Sequence, residues 1–379
     1  MTFLVAVLLI CVLLVLHPYV TYPLSLLVVR RFRPKPLNPT LPEPTRFAVV
    51  CCVYNEREVI DQKIENMRAV RDALGDCQLL IHSDASSDGT NEVLKSVAGE
   101  FTLSLAEGRS GKSAGMNRLL LMTNAEIVIY TDANVMIDPA AVRNLPRYFQ
   151  DREVGCVTGH LVYENADESH TAKVGTLYWK HEEWVKQLES DTGSVMGADG
   201  SLFAIRRDLH RPTPADIIDD FFTSMSILCS GYRLVRGADF LAYERTATVR
   251  GDEFRRKVRI ACRAFNCHRL LWPKIAKLDG LSVYKYLSHK YMRWLAGYFL
   301  AVGAAASAAI MLVAFGALPF VIYLLLLAGA AFAEDRFDLP IVTSLWEIMV
   351  AMWATAIGVY KSLRGERFQT WSVASSTRK

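Results

Sequence analysis

Phe47-Ala48-Val49-Val50-Cys51-Cys52-Val53 is followed at once by Tyr54-Asn55-Glu56: seven apolar residues, then three polar ones. An unbroken apolar run of this length reads as a strand buried on both faces, as at the centre of a parallel sheet. The pattern repeats downstream. Residues 78–83, 101–105 and 127–131 are further apolar runs, and helix-like stretches at 58–74, 90–98 and 113–122 separate them. Strand and helix in alternation predict an α/β fold with a parallel, doubly wound sheet. Ligands of such sheets bind beyond the carboxyl ends of the strands. The polar clusters at those ends, Tyr54-Asn55-Glu56, residues 83–88, residues 106–112 and Asp132-Ala133-Asn134, are therefore expected to face one site.

Around this domain the chain turns apolar. Of its 379 residues, 51% are hydrophobic and 22% charged, with 43 Lys and Arg against 39 Asp and Glu and a net charge of +4. Mean hydropathy is +0.17. These values exclude disorder, a collagen-like fibre and a small disulfide-stapled domain. The charges are segregated. Residues 2–29 carry none and exceed the roughly 20 residues that cross a bilayer core, and residues 294–333 form a second uncharged stretch, with Gly316 and Pro319 near its middle. A third, 340–360, is broken only by Glu347. The expected organisation is a transmembrane anchor at 1–30, a linker at 31–45 carrying five prolines from Pro34 to Pro44, and the α/β domain at 46–245. Basic amphipathic helices at 246–293, about three transmembrane helices at 294–361 and a tail at 362–379 complete it. The basic cluster 30–35 after the first span places the domain in the cytoplasm. No two of the eight cysteines have Cys-x-x-Cys spacing, so they read as buried filler. The C-terminal charges conflict with an odd number of spans, because Lys361, Arg364 and Arg367 favour the inside.

Two nucleotide readings compete for the same residues. Ala106-Glu107-Gly108-Arg109-Ser110-Gly111-Lys112-Ser113 fits a relaxed P-loop, and 127–132 fits the apolar strand ending in a magnesium-binding Asp. A membrane-bound NTPase using Gly111-Lys112-Ser113 is thus one reading, but it leaves the earlier polar clusters idle. The other uses all four strand ends. A nucleotide-diphosphate sugar needs an acceptor for its base, cations for its phosphates and a divalent metal for the leaving diphosphate. Asp84 suits the base, Lys112 the phosphates, and Asp132 with Asn134 offers hard oxygen ligands to Mg2+ or Mn2+. Asn134 is neutral and holds a cation less firmly than a second carboxylate. Taken alone, a strand-end turn also explains 132–134.

Read in order, these motifs resemble the family 2 glycosyltransferases. Tyr54-Asn55-Glu56 resembles the family's first-strand nucleotide motif, and Ser83-Asp84-Ala85-Ser86-Ser87-Asp88 its second, with Ser83 where a common form has an aspartate. Gly111-Lys112 with Asn117 resembles its Gly-Lys segment, and Asp132-Ala133-Asn134 its metal motif in an Asp-x-Asn form. Each motif is short, and their order carries the resemblance, which extends over the apolar ends. It implies a GT-A (Rossmann-like) nucleotide-sugar domain with transmembrane helices at both ends, of the branch that makes polysaccharides and glycolipids. The implied activity is inverting and metal-dependent, with transfer from a UDP-linked donor to a lipid-linked or polysaccharide acceptor. Implied partners are membrane lipids and other envelope-polysaccharide assembly proteins, and the implied location is a bacterial inner membrane.

Further residues follow from that resemblance. Gly197-Ala198-Asp199-Gly200-Ser201 is similar to the family's acceptor-side loop, although an ordinary turn explains the glycines as well. Asp219 and Asp220 stand at the mouth of an apolar helix, where capping alone favours acids. The resemblance makes Asp220 the general base. The stretch 245–274 reads as an amphipathic helix with a solvated or lipid-facing basic side. Where processive relatives carry Gln-x-x-Arg-Trp, this chain has Arg256-Lys257-Val258-Arg259-Ile260, which keeps Arg259 as a diphosphate contact without the Gln and Trp. Ser288-His289-Lys290-Tyr291-Met292-Arg293-Trp294, beside a span, reads as interface anchors. With the arginines confined to one helix, phosphates of lipid or donor are expected partners, not nucleic acid.

Overall fold

The computed structural model describes residues 1–164, 170–244, 250–336 and 340–369. Expectations that fell on 245–249, on 337–339 or on 370–379 of the tail lie outside these residues. The chain begins with α1 (Thr2–Leu16) and α2 (Thr21–Phe32), which meet at a bend of 56°. This corrects the single unbroken helix expected for 2–29. Pro18 stands in the break and has no N–H to donate, and His17 bonds to Thr21 Oγ1 at 2.7 Å and Ser288 Oγ at 2.9 Å. The proline-rich linker is extended, as expected, but it is pinned. Arg233 donates to the carbonyls of Lys35 (2.8 Å) and Pro36 (3.2 Å) and pairs with buried Asp151 at 3.3 Å.

The α/β domain follows as β1 (Phe47–Val53), α3 (Ile60–Leu74), β2 (Cys77–Ser83), α4 (Thr90–Ser96), β3 (Thr102–Leu105), α5 (Lys112–Leu120) and β4 (Ile127–Thr131). Next come β5 (Met136–Ile137), the short α6 (Leu145–Tyr148), β6 (Val154–Tyr163), α7 (His170–Asp191), β7 (Leu202–Arg206), α8 (Asp219–Cys229) and β8 (Arg233–Glu244). One eight-stranded sheet results, in the order β3-β2-β1-β4-β7-β6-β8-β5. The run β3-β2-β1-β4 is parallel and so is the β6–β8 pair, whereas β7 runs antiparallel to both β4 and β6, so the sheet is mixed beyond the expected doubly wound half. The register explains the site. Val53 pairs with Ser83, Ser83 with Leu105 and Cys51 with Thr131, so the carboxyl ends of the parallel strands share one edge. Because β7 is reversed, its start meets the end of β4, with Thr131 opposite Leu202.

Alternate residues of the strands feed two cores. Val49, Cys51 and Val53 pack with Ile60, Ile64 and Met67 on one side. Ala48, Val50 and Cys52 pack on the other with Met116, Phe221 and Met225, and this core continues through Phe265 and Leu271 to Trp294 and Val359. Those last residues belong to α9 (Arg250–Ile275), to α11 (Met292–Phe315), reached through α10 (Gly280–Tyr286), and to α13 (Pro340–Leu363), which follows α12 (Ala317–Arg336). The apolar side of α9 therefore closes the sheet's second layer instead of lying on lipid. Gly280–Phe315, running through α10 and α11, is long and apolar enough to cross a membrane; α1 and α2 pass that test only as a bent pair, and Ala317–Leu326 is a shorter apolar helix.

A buried ionic cluster joins these parts. Glu189 of α7 accepts from Tyr22 Oη, from the Met196 N–H at 3.0 Å and from His289 Nδ1 at 2.7 Å. Glu182, one helical stretch earlier, takes His289 Nε2 at 2.9 Å and pairs with Arg293. Lys285 Nζ donates to the Glu189 carbonyl at 2.8 Å. The segment 288–294 is thus an internal latch and not the expected set of membrane-interface anchors, because α7 brings two acids against it. Breaking a buried pair from one side costs about 3–5 kcal/mol. Glu189→Leu, which leaves Tyr22, His289 and the Met196 N–H without their acceptor, is expected to destabilise the chain by about that much, read as a lowered unfolding temperature in detergent micelles.

Candidate active site

The first two polar clusters interlock. Asn55 N donates to Ser86 Oγ at 3.0 Å, Asn55 Oδ1 accepts from Ser87 N at 2.9 Å, and Glu56 N donates to Thr90 Oγ1 at 3.0 Å. Asn55 (φ 51°) and Ala85 (φ 60°) both adopt left-handed backbone, which costs a non-glycine residue roughly 1–2 kcal/mol and collects at functional sites. Tyr54 stacks under Arg109, whose guanidinium carbon stands 3.3 Å from the ring centroid.

Asp84 is in the site, but its carboxylate is closed off. It is fully buried and accepts from Ser110 N at 2.6 Å, from Gly111 N at 3.1 Å and from Arg109 Nε at 2.9 Å. Burial alone would raise its pKa, but the Ser110 N–H and Arg109 hold it below the ordinary aspartate value. This arrangement corrects the expectation of an open base acceptor: contact with a base requires the 106–111 loop to move. It also decides against the P-loop reading. Backbone N–H groups that would cradle phosphate are spent on Asp84, and the lysine is turned elsewhere.

Lys112 Nζ donates to Asp132 Oδ1 at 2.6 Å, lies 3.5 Å from Asp219 Oδ2 and reaches the Gly200 carbonyl at 3.5 Å. Burial works against its charge, yet Asp132 and Asp219 raise its pKa above the ordinary lysine value. The acid pair is set by two latches. Asn117 exchanges hydrogen bonds with the Thr213 backbone (2.9 and 3.0 Å), and Arg263 of α9 donates to the Ile217 carbonyl and to Ser113 Oγ at 3.2 Å. Burial, and then the charge of Asp219, push Asp220 up to about 7. Gly197 has φ +107° and no room for a Cβ beside Phe221, and a Cβ on Gly200 would stand 2.6 Å from Asp220 Oδ2. Both glycines are thereby required by close approach. Asp199 accepts from Ser201 N at 2.9 Å and faces Lys186 at 3.7 Å.

Asp132 and Asn134 present hard oxygens, which suit Mg2+ or Mn2+. Among the described residues no three His, Cys, Asp or Glu side chains gather to hold an ion. Two side-chain oxygens are a small share of a coordination shell, so an ion held there would take its other ligands from water and substrate phosphate. Arg259 lies on α9; burial, with Arg263 and Arg256 beside it, lowers its pKa to about 10. Three contributors went unread in the sequence. Glu244, at the end of β8, bonds to Asn134 and Ser201, and Arg263 gave no signal within its basic run. The third is the chain beyond α13, where Arg367 pairs with Asp216 at 3.4 Å and the Gln369 carbonyl oxygen occupies the place of a Cβ on Gly111.

Residues 48–212 match the model of glycosyl transferase family 2. The chain carries a family 2 glycosyltransferase domain. Its sheet is a GT-A sheet: a mannosyltransferase of Pyrobaculum calidifontis, solved with GDP-Man and Mn2+, superposes with a TM-score of 0.73 at 22% identity over 96% of this chain and 100% of that one. Beta-monoglucosyldiacylglycerol synthases of Trichormus variabilis and a Nostoc species are 25% and 24% identical over 165 residues, 42% of this chain and 35% of theirs. The match thus spans about a third of those relatives' length. In the glycosyltransferase, Gly200→Ala displaces the Asp220 carboxylate. Misplacement of a reacting group by an ångström costs about a hundredfold, so turnover is expected to fall about that far, while nucleotide binding, measured by calorimetry, holds.

Proposed function

We propose that this chain is a membrane-embedded, inverting glycosyltransferase that moves a sugar from a nucleoside-diphosphate donor, UDP-linked, to a lipid hydroxyl at the cytoplasmic membrane surface. The observation that carries the reading is the Asp220 carboxylate, packed against Gly200 and within the field of the Lys112–Asp132 pair at the carboxyl edge of the sheet. The glycolipid synthases among its relatives support a lipid acceptor. The exposed apolar residues Phe3, Leu9, Leu13, Leu312, Phe315 and Leu325 support a bilayer around the terminal helices.

In the proposed reaction the acceptor hydroxyl attacks the anomeric carbon in line with the diphosphate. Asp220 takes its proton, the bond from the anomeric carbon to the diphosphate oxygen breaks, and the configuration inverts. Arg259 faces the departing diphosphate as a cation, and Lys112, held between Asp132 and Asp219, adds positive charge beside it. Asp132 and Asn134 would hold Mg2+ or Mn2+, which supplies positive charge against the leaving group. Among the described residues Arg259 has no ion pair of its own, and crowding by Arg256 and Arg263 makes an anionic partner favourable.

A base acts when ionised. With Asp220 near 7, the transfer rate is expected to rise with pH through about 7 and then level off. Asp220→Asn is expected to lower transfer by about a hundredfold to ten-thousandfold and to remove that pH step, with nucleotide binding intact. Turnover of a UDP-sugar by this variant at the native rate and with the native pH profile would remove Asp220 from the role. Assay of radiolabelled sugar entering lipid extract, with UDP- and GDP-linked donors in parallel, tests donor and acceptor together.

A further inference from the structure

We propose that Glu244 supplies, from β8, the negative charge that the Asp132-Ala133-Asn134 motif lacks, and that it holds Asn134 with its amide oxygen available to a divalent cation. The inference rests on the metal reading above. Asn134 Nδ2 donates to Glu244 Oε1 at 3.1 Å. An amide has one donor end and one acceptor end. A carboxylate that takes the nitrogen therefore fixes the flip of the side chain and keeps Oδ1 off Glu244. The second carboxylate oxygen is engaged as well, by Ser201 Oγ at 3.3 Å. Glu244 is thus held from two sides, by the loop after β4 and by the turn that precedes β7.

The register of the sheet delivers it there. Tyr163 pairs with Glu244 in the parallel β6–β8 ladder, and Met136, two residues past Asn134, pairs with Tyr243 across β5–β8. Strand β8 therefore ends where the metal motif begins, 110 residues away in sequence.

Charge makes the pairing more than a spacer. Lys112 already answers Asp132 at 2.6 Å, and the same ammonium faces Asp219 at 3.5 Å. With a neutral amide at 134, the motif offers an incoming cation little net negative charge. Glu244 places a carboxylate at hydrogen-bond distance behind the amide, with Arg256 as the cation that acts on it most strongly. The arrangement is also exclusive. An aspartate at 134 would put a second carboxylate within hydrogen-bond distance of Glu244, and two acids that close cannot both ionise freely. Asn134 and Glu244 therefore form a matched pair, an amide in front and an acid behind, in place of two acids in one motif. Glu244 is a positioning residue: it acts on the cation through Asn134.

The test is titration of Mn2+ into the full chain in detergent micelles containing excess UDP, repeated with GDP, with the half-saturating metal concentration read from tryptophan fluorescence and from the electron paramagnetic resonance signal of free Mn2+. Glu244→Gln keeps the shape and removes the charge. It is expected to raise the half-saturating concentration about tenfold to a hundredfold, the usual effect of losing a partner behind a ligand. Asn134→Asp combined with Glu244→Gln moves the charge to the front and is expected to recover most of that loss. Asp132→Asn serves as the reference for the metal site itself. Loss of binding in Asp132→Asn with native affinity in Glu244→Gln would overturn the role of Glu244 and leave the metal reading standing. Native affinity in both, or no Mn2+ binding by the native chain with either nucleotide, would overturn the metal reading and this inference with it. Unfolding temperatures without metal guard against a folding defect, and a folded double variant that binds no better than Glu244→Gln also overturns the proposal.

Discussion

One ammonium group makes the candidate active site possible. The sheet register brings Asp132 to the same edge as the turn at Gly200, and the latches on Thr213 and Ile217 set Asp219 and Asp220 beside them. Carboxylates this close repel, and burial makes each charge costlier. Lys112 lies between them, 2.6 Å from Asp132 and 3.5 Å from Asp219. It can do so because Asp84 ties down the preceding loop through the Ser110 and Gly111 N–H groups, which starts α5 at Lys112 itself. The lysine that resembles a phosphate cradle in the sequence is the counter-ion of Asp132 and Asp219.

The helical part and the sheet domain cannot be treated as an enzyme tethered to an anchor. Phe265 and Leu271 of α9, Trp294 of α11 and Val359 of α13 belong to the same core as Val50 and Phe221. Glu182 and Glu189 on α7 bind His289 from both sides, and Tyr22 brings the N-terminal helices to the same acid. The base-bearing helix α8 packs directly on this shared core. A shift of the apolar helices is therefore felt at Asp220 through packed side chains.

The parallel half of the sheet was legible because buried central strands are uninterrupted apolar runs, and Phe47–Val53 is such a run with polar residues at its end. The polar strand ends carried the donor side for the same reason. Beyond β4 the signal fails. Whether β7 lies parallel or antiparallel to β4 depends on contacts of residues some seventy positions apart, which no local period records. Glu244 is invisible for the same reason: an acid at a strand end becomes the partner of Asn134 only through the β5–β8 and β6–β8 registers. Residues 288–294 misled in the opposite direction. Lys, Arg and Trp beside an apolar helix are what a membrane interface selects, and only the acids on α7 turn them inward. The helix break at 17–20 was hidden by composition, since residues 2–29 carry no charge whether or not they form one helix.

The site holds charges that are uncomfortable in the absence of ligand. Half-buried Arg259 is lowered to about 10 by loss of solvent and by Arg263 and Arg256 beside it, and half-buried Asp220 is raised to about 7 by loss of solvent and by Asp219. Asp219 offsets the arginine's shift and Lys112 the acid's only in part, and a structure optimised for stability alone would pair or replace both groups. A diphosphate answers the arginines, and positive charge at Asp132 and Asn134 answers the acids. The two shifts come from like charges of opposite sign, so relief of both calls for a ligand with anionic and cationic parts in one complex. A metal-bound nucleoside diphosphate has that composition, whereas a free nucleotide or a free cation would relieve one stress and aggravate the other.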